Sequence, residues 1–306
     1  MGVIGIDTSN YTTSIAFFDG TGGENCSKLL PVKPGELGLR QSDAVFAHIK
    51  SLPELSGRLF SHVREKITAV GVSTRPRAVE GSYMPCFLVG LSHARLLSDA
   101  LHVPLVEVSH QQGHVAASLW SAGHLELMDE THLAWHLSGG TTELLLVEPE
   151  GKLVKCTKIG GTTDISAGQL IDRTGQLLGL PFPSGKHLDA LSREAEGTDF
   201  FRVKCTDMTF SFSGMQNKVQ QYYEANGDPA ETAAYALRCI AYGVFHATQQ
   251  ALKAYPGLPV VFSGGVASNT LLRQVLEPLN PIFAQPQYST DNAMGVAVLA
   301  SRCTEV

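Results

Sequence analysis

The stretch Leu133–Val147, LAWHLSGGTTELLLV, decides the reading of the fold. Leu133 to Leu137 are mainly apolar. Ser138-Gly139-Gly140-Thr141-Thr142 are small and polar, and Glu143 to Val147 are apolar again. That pattern reads as strand, turn, strand. The same grammar opens the chain: Val3 to Asp7, the small polar run Thr8 to Thr13, then Ser14 to Asp19. Two hairpins with Thr-rich turns, about one lobe apart, predict a duplicated domain.

The segments around these hairpins predict alternating strands and helices, hence an α/β class. Ala69–Ser73, Leu105–Val108 and Val260–Phe262 read as strands. Phe87–Leu101, His110–Trp120, Ile165–Leu178, Pro229–Ala254 and Asn269–Leu276 read as helices. A length of 306 residues with 43% apolar and 17% charged side chains fits two globular lobes. The expected division is 1–126 plus 283–306 against 127–282, with a nucleotide and metal cleft between the lobes. No apolar run approaches the ~20 residues of a membrane helix. The six cysteines are scattered, with no C-x-x-C pair, which argues for reduced thiols and a cytoplasmic setting. A protein that grips nucleic acid alone usually presents a basic surface, and the net charge of −6 with no Lys/Arg run argues against one here. A local patch or a partner would have to supply phosphate contacts.

Several short patterns can carry chemistry. In His110-Gln111-Gln112-Gly113-His114 the histidines stand at i and i+4, one face of a helix, where two imidazoles can grip one metal ion. Ordinary half-buried histidines fit that spacing as well. No Glu follows His110, so a metalloprotease would lack its general base. The turn Ser138-Gly139-Gly140 lets backbone amides approach a phosphate, or simply makes a tight hairpin. Ser263-Gly264-Gly265, ahead of Asn269, lies where α/β folds bind ligands. Asp291 can be a metal ligand or a helix cap. Asp172 can hold ribose hydroxyls or pair at the surface. Phe210-Ser211-Phe212-Ser213-Gly214 reads as a strand end with one buried face.

Seven segments, IGIDTS, HQQGH, LSGGTTEL, AGQLIDRTGQLLGLPFPSG, FSFSG, VVFSGGVASNTLLR and STDNAM, run in order from residue 4 to residue 294. Together they resemble the TsaD family, tRNA adenosine threonylcarbamoyltransferases of the sugar-kinase/Hsp70/actin superfamily. The resemblance implies an actin-like ATPase-type fold. It implies metal-dependent transfer of a threonylcarbamoyl or carbamoyl group from an acyl-adenylate to an acceptor amine. It also implies His110, His114 and Asp291 as ligands of one divalent ion, iron or zinc by the chemistry of imidazole and carboxylate donors. Ser138, Gly139 and Gly140 would lie against nucleotide phosphates, with Asp172, Gly185 and Asn269 at the ribose or base. The implied partners are an acyl-adenylate or ATP/AMP-type nucleotide, a TsaB-like protein and tRNA, with no membrane. We add His136 as a third imidazole ligand, since it shares a strand face with Ser138, with an ordinary core histidine as the alternative. No residue is assigned as general acid or base.

The chain departs from the family on the acceptor side. Tyr11 and Thr12 replace an acidic pair, Arg75-Pro76-Arg77 a Gly-Pro-Gly turn, Thr141 a histidine, and Gln216 a basic residue. These departures leave open a carbamoyltransferase with a non-tRNA acceptor. They equally leave open a non-catalytic, nucleotide- or metal-binding paralogue acting as partner or regulator.

Overall fold

A computed structural model describes residues 1–31, 39–289 and 293–304. The chain forms two compact units, Met1–Glu130 with Glu148–Cys156 and Asp291–Val306, and Thr131–Val147 with Thr157–Thr290. The expected edges lay at 126/127 and 282/283.

The first unit holds a five-stranded sheet. Its strands are β1 (Gly2–Thr8), β2 (Thr12–Phe18), β3 (Gly23–Leu29), β4 (Ile67–Arg75) and β5 (Leu105–Ser109), in the order β3-β2-β1-β4-β5. Its helices are α1 (Gln41–His62), α2 (Phe87–Leu101) and α3 (His110–Ala122). β1 pairs antiparallel with β2 and parallel with β4, which pairs parallel with β5. Both faces are covered, so β1 and β2 are buried along their whole lengths.

The second unit repeats this plan. Its strands are β6 (His132–Leu137), β7 (Thr142–Glu150), β8 (Leu153–Thr162), β9 (Cys205–Thr206), β10 (Thr209–Phe210), β11 (Val260–Ser263) and β12 (Ile282–Phe283). The order is β12-β11-β6-β7-β8-β10-β9. Read from β8 to β12, this is β8-β7-β6-β11-β12, the counterpart of β3-β2-β1-β4-β5. The pairing senses agree too: β6 is antiparallel to β7 and parallel to β11, and β11 is parallel to β12. The duplication expected from the two hairpins is therefore present in strand order. Helices α4 (Ala167–Leu177), α5 (Gly185–Ser192), α6 (Ser213–Asn226), α7 (Pro229–Ala254) and α8 (Thr270–Leu276) complete the unit, around a core that includes Trp135, Phe210, Phe212 and Phe262. Helix α9 (Met294–Thr304) returns to the first unit and packs on β1, β4 and α3.

Some expected boundaries shift for identifiable reasons. Ile165 lies outside α4, because Ser166 caps that helix and Gln169 closes the capping box. Asn269 likewise caps α8 instead of beginning it. The first hairpin turn is shorter than Thr8–Thr13. Thr8 pairs with Thr13, so only residues 9–11 clearly leave the ladder, with Thr12 already in β2.

Candidate functional site

Three parallel strands of the first unit bring their carboxyl ends together. Asp7 lies near the end of β1, Ser73 near the end of β4, and Ser109 ends β5. Such edges are where open α/β sheets place ligands. Ser109 then caps α3. Its hydroxyl accepts from the Gln112 amide at 3.2 Å, while Gln112 Oε1 accepts from the Ser109 amide at 2.8 Å. The cap fixes His110 as the first helical residue and His114 one turn on.

The two imidazoles converge. Nε2 of His110 and Nε2 of His114 are 3.0 Å apart, with ring centroids 4.4 Å apart and planes at 78°. Two nitrogens sharing one ion at ~2.0–2.1 Å, with bond angles of about 90–110°, stand roughly 2.9–3.4 Å from each other. The observed separation fits that requirement. His110 Nδ1 lies 3.0 Å from Asp7 Oδ1, and Asp7 also accepts from the Ser73 hydroxyl. The Asp7 side chain is 1% exposed and that of His110 20%. Among the described residues, no group of three His, Cys, Asp or Glu side chains is arranged to hold one ion. Asp291, an expected ligand, lies outside the described residues. His136 belongs to the second unit, where its Nδ1 lies 3.4 Å from the Ser263 hydroxyl.

Gly113, inside the histidine motif, is a packing residue. A Cβ on Gly295 of α9 would stand 1.9 Å from the Gly113 carbonyl oxygen. These two glycines let α9 cross α3 at close range and hold the His110–His114 turn against the sheet.

The expected nucleotide residues of the second unit lie along a connected series of contacts. The Ser138 amide donates to the Thr141 carbonyl at 2.8 Å, and the Thr141 amide donates to the Ser138 hydroxyl at 3.1 Å. Ser166 at the start of α4 donates to the Gly139 carbonyl at 2.6 Å. Nearly two turns further along α4, Asp172 accepts from the Ser184 amide at 2.8 Å, beside Gly185 at the start of α5. Burial pushes the Asp172 carboxyl up, and the Ser184 hydrogen bond pulls it partly back. Asp189 of α5 accepts from the Asn269 side-chain amide at 2.7 Å, while Asn269 Oδ1 accepts from the Leu272 amide at 2.9 Å. The structure therefore links Ser138, Gly139, Asp172, Gly185 and Asn269 through α4 and α5. It also spends the Asn269 side chain on capping α8 and holding α5.

The glycines of these turns divide by what surrounds them. A Cβ at Gly139, Gly140, Gly185 or Gly265 would meet no heavy atom within 4 Å, and none of the four has a positive φ. Neither packing nor backbone conformation calls for glycine there, whereas close approach of a ligand would. Gly264 is the opposite case. Its φ is +90°, and a Cβ would lie 2.1 Å from the Leu137 carbonyl oxygen.

Sequence reasoning missed two carboxylates. Asp7 was read only as part of a strand, although its position at a parallel-strand terminus was a usable signal. Asp164 anchors the Phe210–Gly214 segment. It accepts from the Ser211 hydroxyl, from the Phe212 amide at 2.8 Å and from the Ser213 amide at 3.2 Å. Burial raises the Asp164 carboxyl, but these donors outweigh it and hold it well below the ordinary range. The one-faced reading of the segment agrees with the structure: Phe210 and Phe212 are buried while Ser211 and Ser213 turn to Asp164.

The family model described as tRNA N6-adenosine threonylcarbamoyltransferase, TsaD, matches residues 38–298. The chain belongs to this family. A TsaD relative from Carboxydothermus hydrogenoformans, named tRNA N6-adenosine threonylcarbamoyltransferase, is 34% identical over 245 residues, 76% of this chain and 70% of that protein. One of the same name from Lacticaseibacillus casei is 31% identical over 221 residues, 69% of this chain and 61% of that protein. This TsaD-family chain thus spans 61% to 70% of the lengths of these two transferases. Among solved structures, HypF from T. kodakarensis has a TM-score of 0.61 at 13% identity, over 99% of this chain and 47% of that one. A ROK family glucokinase from Streptomyces griseus has a TM-score of 0.56 at 11% identity, over 99% and 100%. These likenesses show the fold, that of the actin-like ATPases and sugar kinases. Among the described residues, no helix is long and apolar enough to cross a membrane.

Proposed function

We propose that this chain transfers a threonylcarbamoyl, or carbamoyl, group from an acyl-adenylate to an acceptor amine, with tRNA adenosine as the acceptor. His110 and His114 hold one divalent ion, iron or zinc. The convergence of their two Nε2 atoms at 3.0 Å carries the reading. In this proposal His136 and Asp291 complete the ligand set, on sequence grounds alone. When bound, the ion supplies Lewis-acid polarisation of the donor's carbonyl.

The remaining work falls to the protein. The open Gly139 and Gly140 positions let backbone amides approach the adenylate phosphate. Asp172, positioned by the Ser184 amide, accepts hydrogen bonds from ribose hydroxyls. Gly185 gives the base or ribose a surface without a side chain. The acceptor's amine attacks the carbonyl carbon, a C–N bond forms, AMP leaves with the electrons of the broken C–O bond, and the amine gives up one proton to solvent. A net charge of −6 makes a TsaB-like protein partner the source of part of the tRNA grip.

The test is metal analysis of purified protein together with a transfer assay using carbamoyl-adenylate and total tRNA, alone and with partner. Stoichiometric metal that is lost in His110→Ala, and transfer that is lost with it, are expected. Protein that binds no transition metal, with adenylate binding indifferent to His110→Ala, would overturn the reading.

One observation favours a second reading, a non-catalytic partner or regulator. The positions where the family resemblance implies acid chemistry hold no carboxylate. Thr12 is buried, and the adjacent buried Thr13 bonds His48 Nδ1 at 2.7 Å. Turnover that Asp291→Ala abolishes would eliminate this second reading.

A further inference from the structure

We propose that Asp7, backed by Ser73, is the positioning residue of His110, fixing which ring nitrogen of that histidine carries the proton. The inference rests on the proposed metal reading for its consequence, and on geometry alone for the tautomer.

Asp7 and Ser73 come from adjacent parallel strands, β1 and β4, and their side chains bond to each other in the buried interior. The oxygen that takes the Ser73 hydroxyl proton, Oδ1, also lies 3.0 Å from His110 Nδ1. With Asp7 ionised, its oxygen can only accept, which places the proton of this contact on Nδ1. A neutral imidazole protonated at Nδ1 has its lone pair on Nε2. That Nε2 is the atom that lies 3.0 Å from Nε2 of His114. The position of a single proton is thus set by three elements, β1, β4 and α3. A carboxylate in this place also holds the ring plane and raises the basicity of the outer nitrogen. The tautomer that Asp7 selects is the one a metal ligand at Nε2 needs.

The same contact would serve a purely structural tie between β1 and α3, and the test separates the two. The full chain, labelled with 15N-histidine and stripped of metal, is read by long-range 1H–15N correlation. His110 is assigned by its absence in His110→Gln. Wild type is expected to show the Nδ1–H pattern at His110. Asp7→Leu, which keeps the branched skeleton but removes the acceptor, is expected to move His110 to the Nε2–H form or a mixture. It should also weaken Zn2+ binding about 10–100-fold in a competition titration. Asp7→Asn keeps an accepting oxygen without the charge, so the Nδ1–H pattern stays while Zn2+ binding weakens less. Ser73→Ala should weaken Zn2+ binding in the same direction.

If Asp7→Leu does not fold, Asp7→Asn and Ser73→Ala carry the test, and Zn2+ affinities equal to wild type in both overturn the proposal. A retained Nδ1–H pattern in folded Asp7→Leu overturns it as well. Wild-type protein that takes up no Zn2+ defeats the metal reading, while the tautomer in Asp7→Leu still decides the role of Asp7.

Discussion

Replacing Gly139 or Gly140 by alanine should leave the fold intact and cost the chain its nucleotide. An added Cβ at either position meets nothing within 4 Å, and neither residue has a positive φ. Folding stability should therefore hold or rise, since alanine in a compatible conformation gains about 0.4–1 kcal/mol through the unfolded state. Gly264→Ala is the internal control. Its φ of +90° with ψ of 157° lies in a region reserved for glycine, a cost of about 1–3 kcal/mol. Its Cβ would also lie 2.1 Å from the Leu137 carbonyl oxygen, and overpacking of that kind costs about 1–3 kcal/mol more. Urea unfolding should therefore separate the variants by roughly 2–6 kcal/mol. Calorimetric titration with AMP and an ATP analogue should show the reverse ranking of interest. Gly139→Ala and Gly140→Ala fold well yet bind at least tenfold more weakly, about 1.4 kcal/mol. Unchanged nucleotide affinity in both would refute the argument that open glycines mark the phosphate approach. So would a loss of stability of more than about 1 kcal/mol in either, because the space above them would then not be free.

On the proposed reading, His114→Ala should abolish metal binding and transfer while leaving the melting temperature of the metal-free protein nearly unchanged, checked by metal analysis and calorimetry of stripped samples. Gly295→Ala forces α9 away from the Gly113 carbonyl, so it should destabilise by about 1–3 kcal/mol and weaken Zn2+ binding, read by urea unfolding and competition titration. Asp164→Ala strands the Ser211, Phe212 and Ser213 donors at a solvent-accessible site and should cost about 1–2 kcal/mol at neutral pH. Because the folded Asp164 carboxyl is depressed, its contribution is full above the ordinary carboxylate range and is lost as pH falls below it. The wild-type advantage over Asp164→Ala should therefore shrink in acid, and a difference that grows there would contradict the assignment.

The fold was legible because its signal is periodic. Alternating apolar segments around two polar turns fix strands wherever both faces are buried, and Pro229 and Asp228 mark the start of α7 by themselves. Helix α1 escaped reading because Pro53 lies inside it and reads as a breaker. Strand β3 escaped because it is largely exposed and polar, with only Cys26 buried. In the candidate site, spacing revealed the histidines, and glycines after strands revealed the turns. Asp7 and Asp164 stayed hidden because what distinguishes them is their partners: Ser73 and His110 for one, the Phe210–Ser213 segment for the other. Those contacts join residues 47 to 103 positions apart, and beyond Asp7's place at a strand end no local pattern announces them.

A short H-x-x-x-H spacing is weak evidence because it leaves the intervening residues unexplained. Here each of two intervening residues has a structural task. Gln112 closes the cap of α3 and reaches the Val154 carbonyl at 2.7 Å, and Gly113 admits α9. Those tasks account for where the helix starts and how deeply it is set, but they would be met equally by apolar side chains at positions 110 and 114. A histidine pair with its Nε2 atoms in contact, one ring held from behind by a buried carboxylate, is costly to maintain in a core unless something uses it. The functional weight therefore rests on the rings' orientation rather than on their spacing. Orientation is also the property that Asp7→Leu and Gly295→Ala attack from opposite sides, one through the ring and one through the helix that carries it.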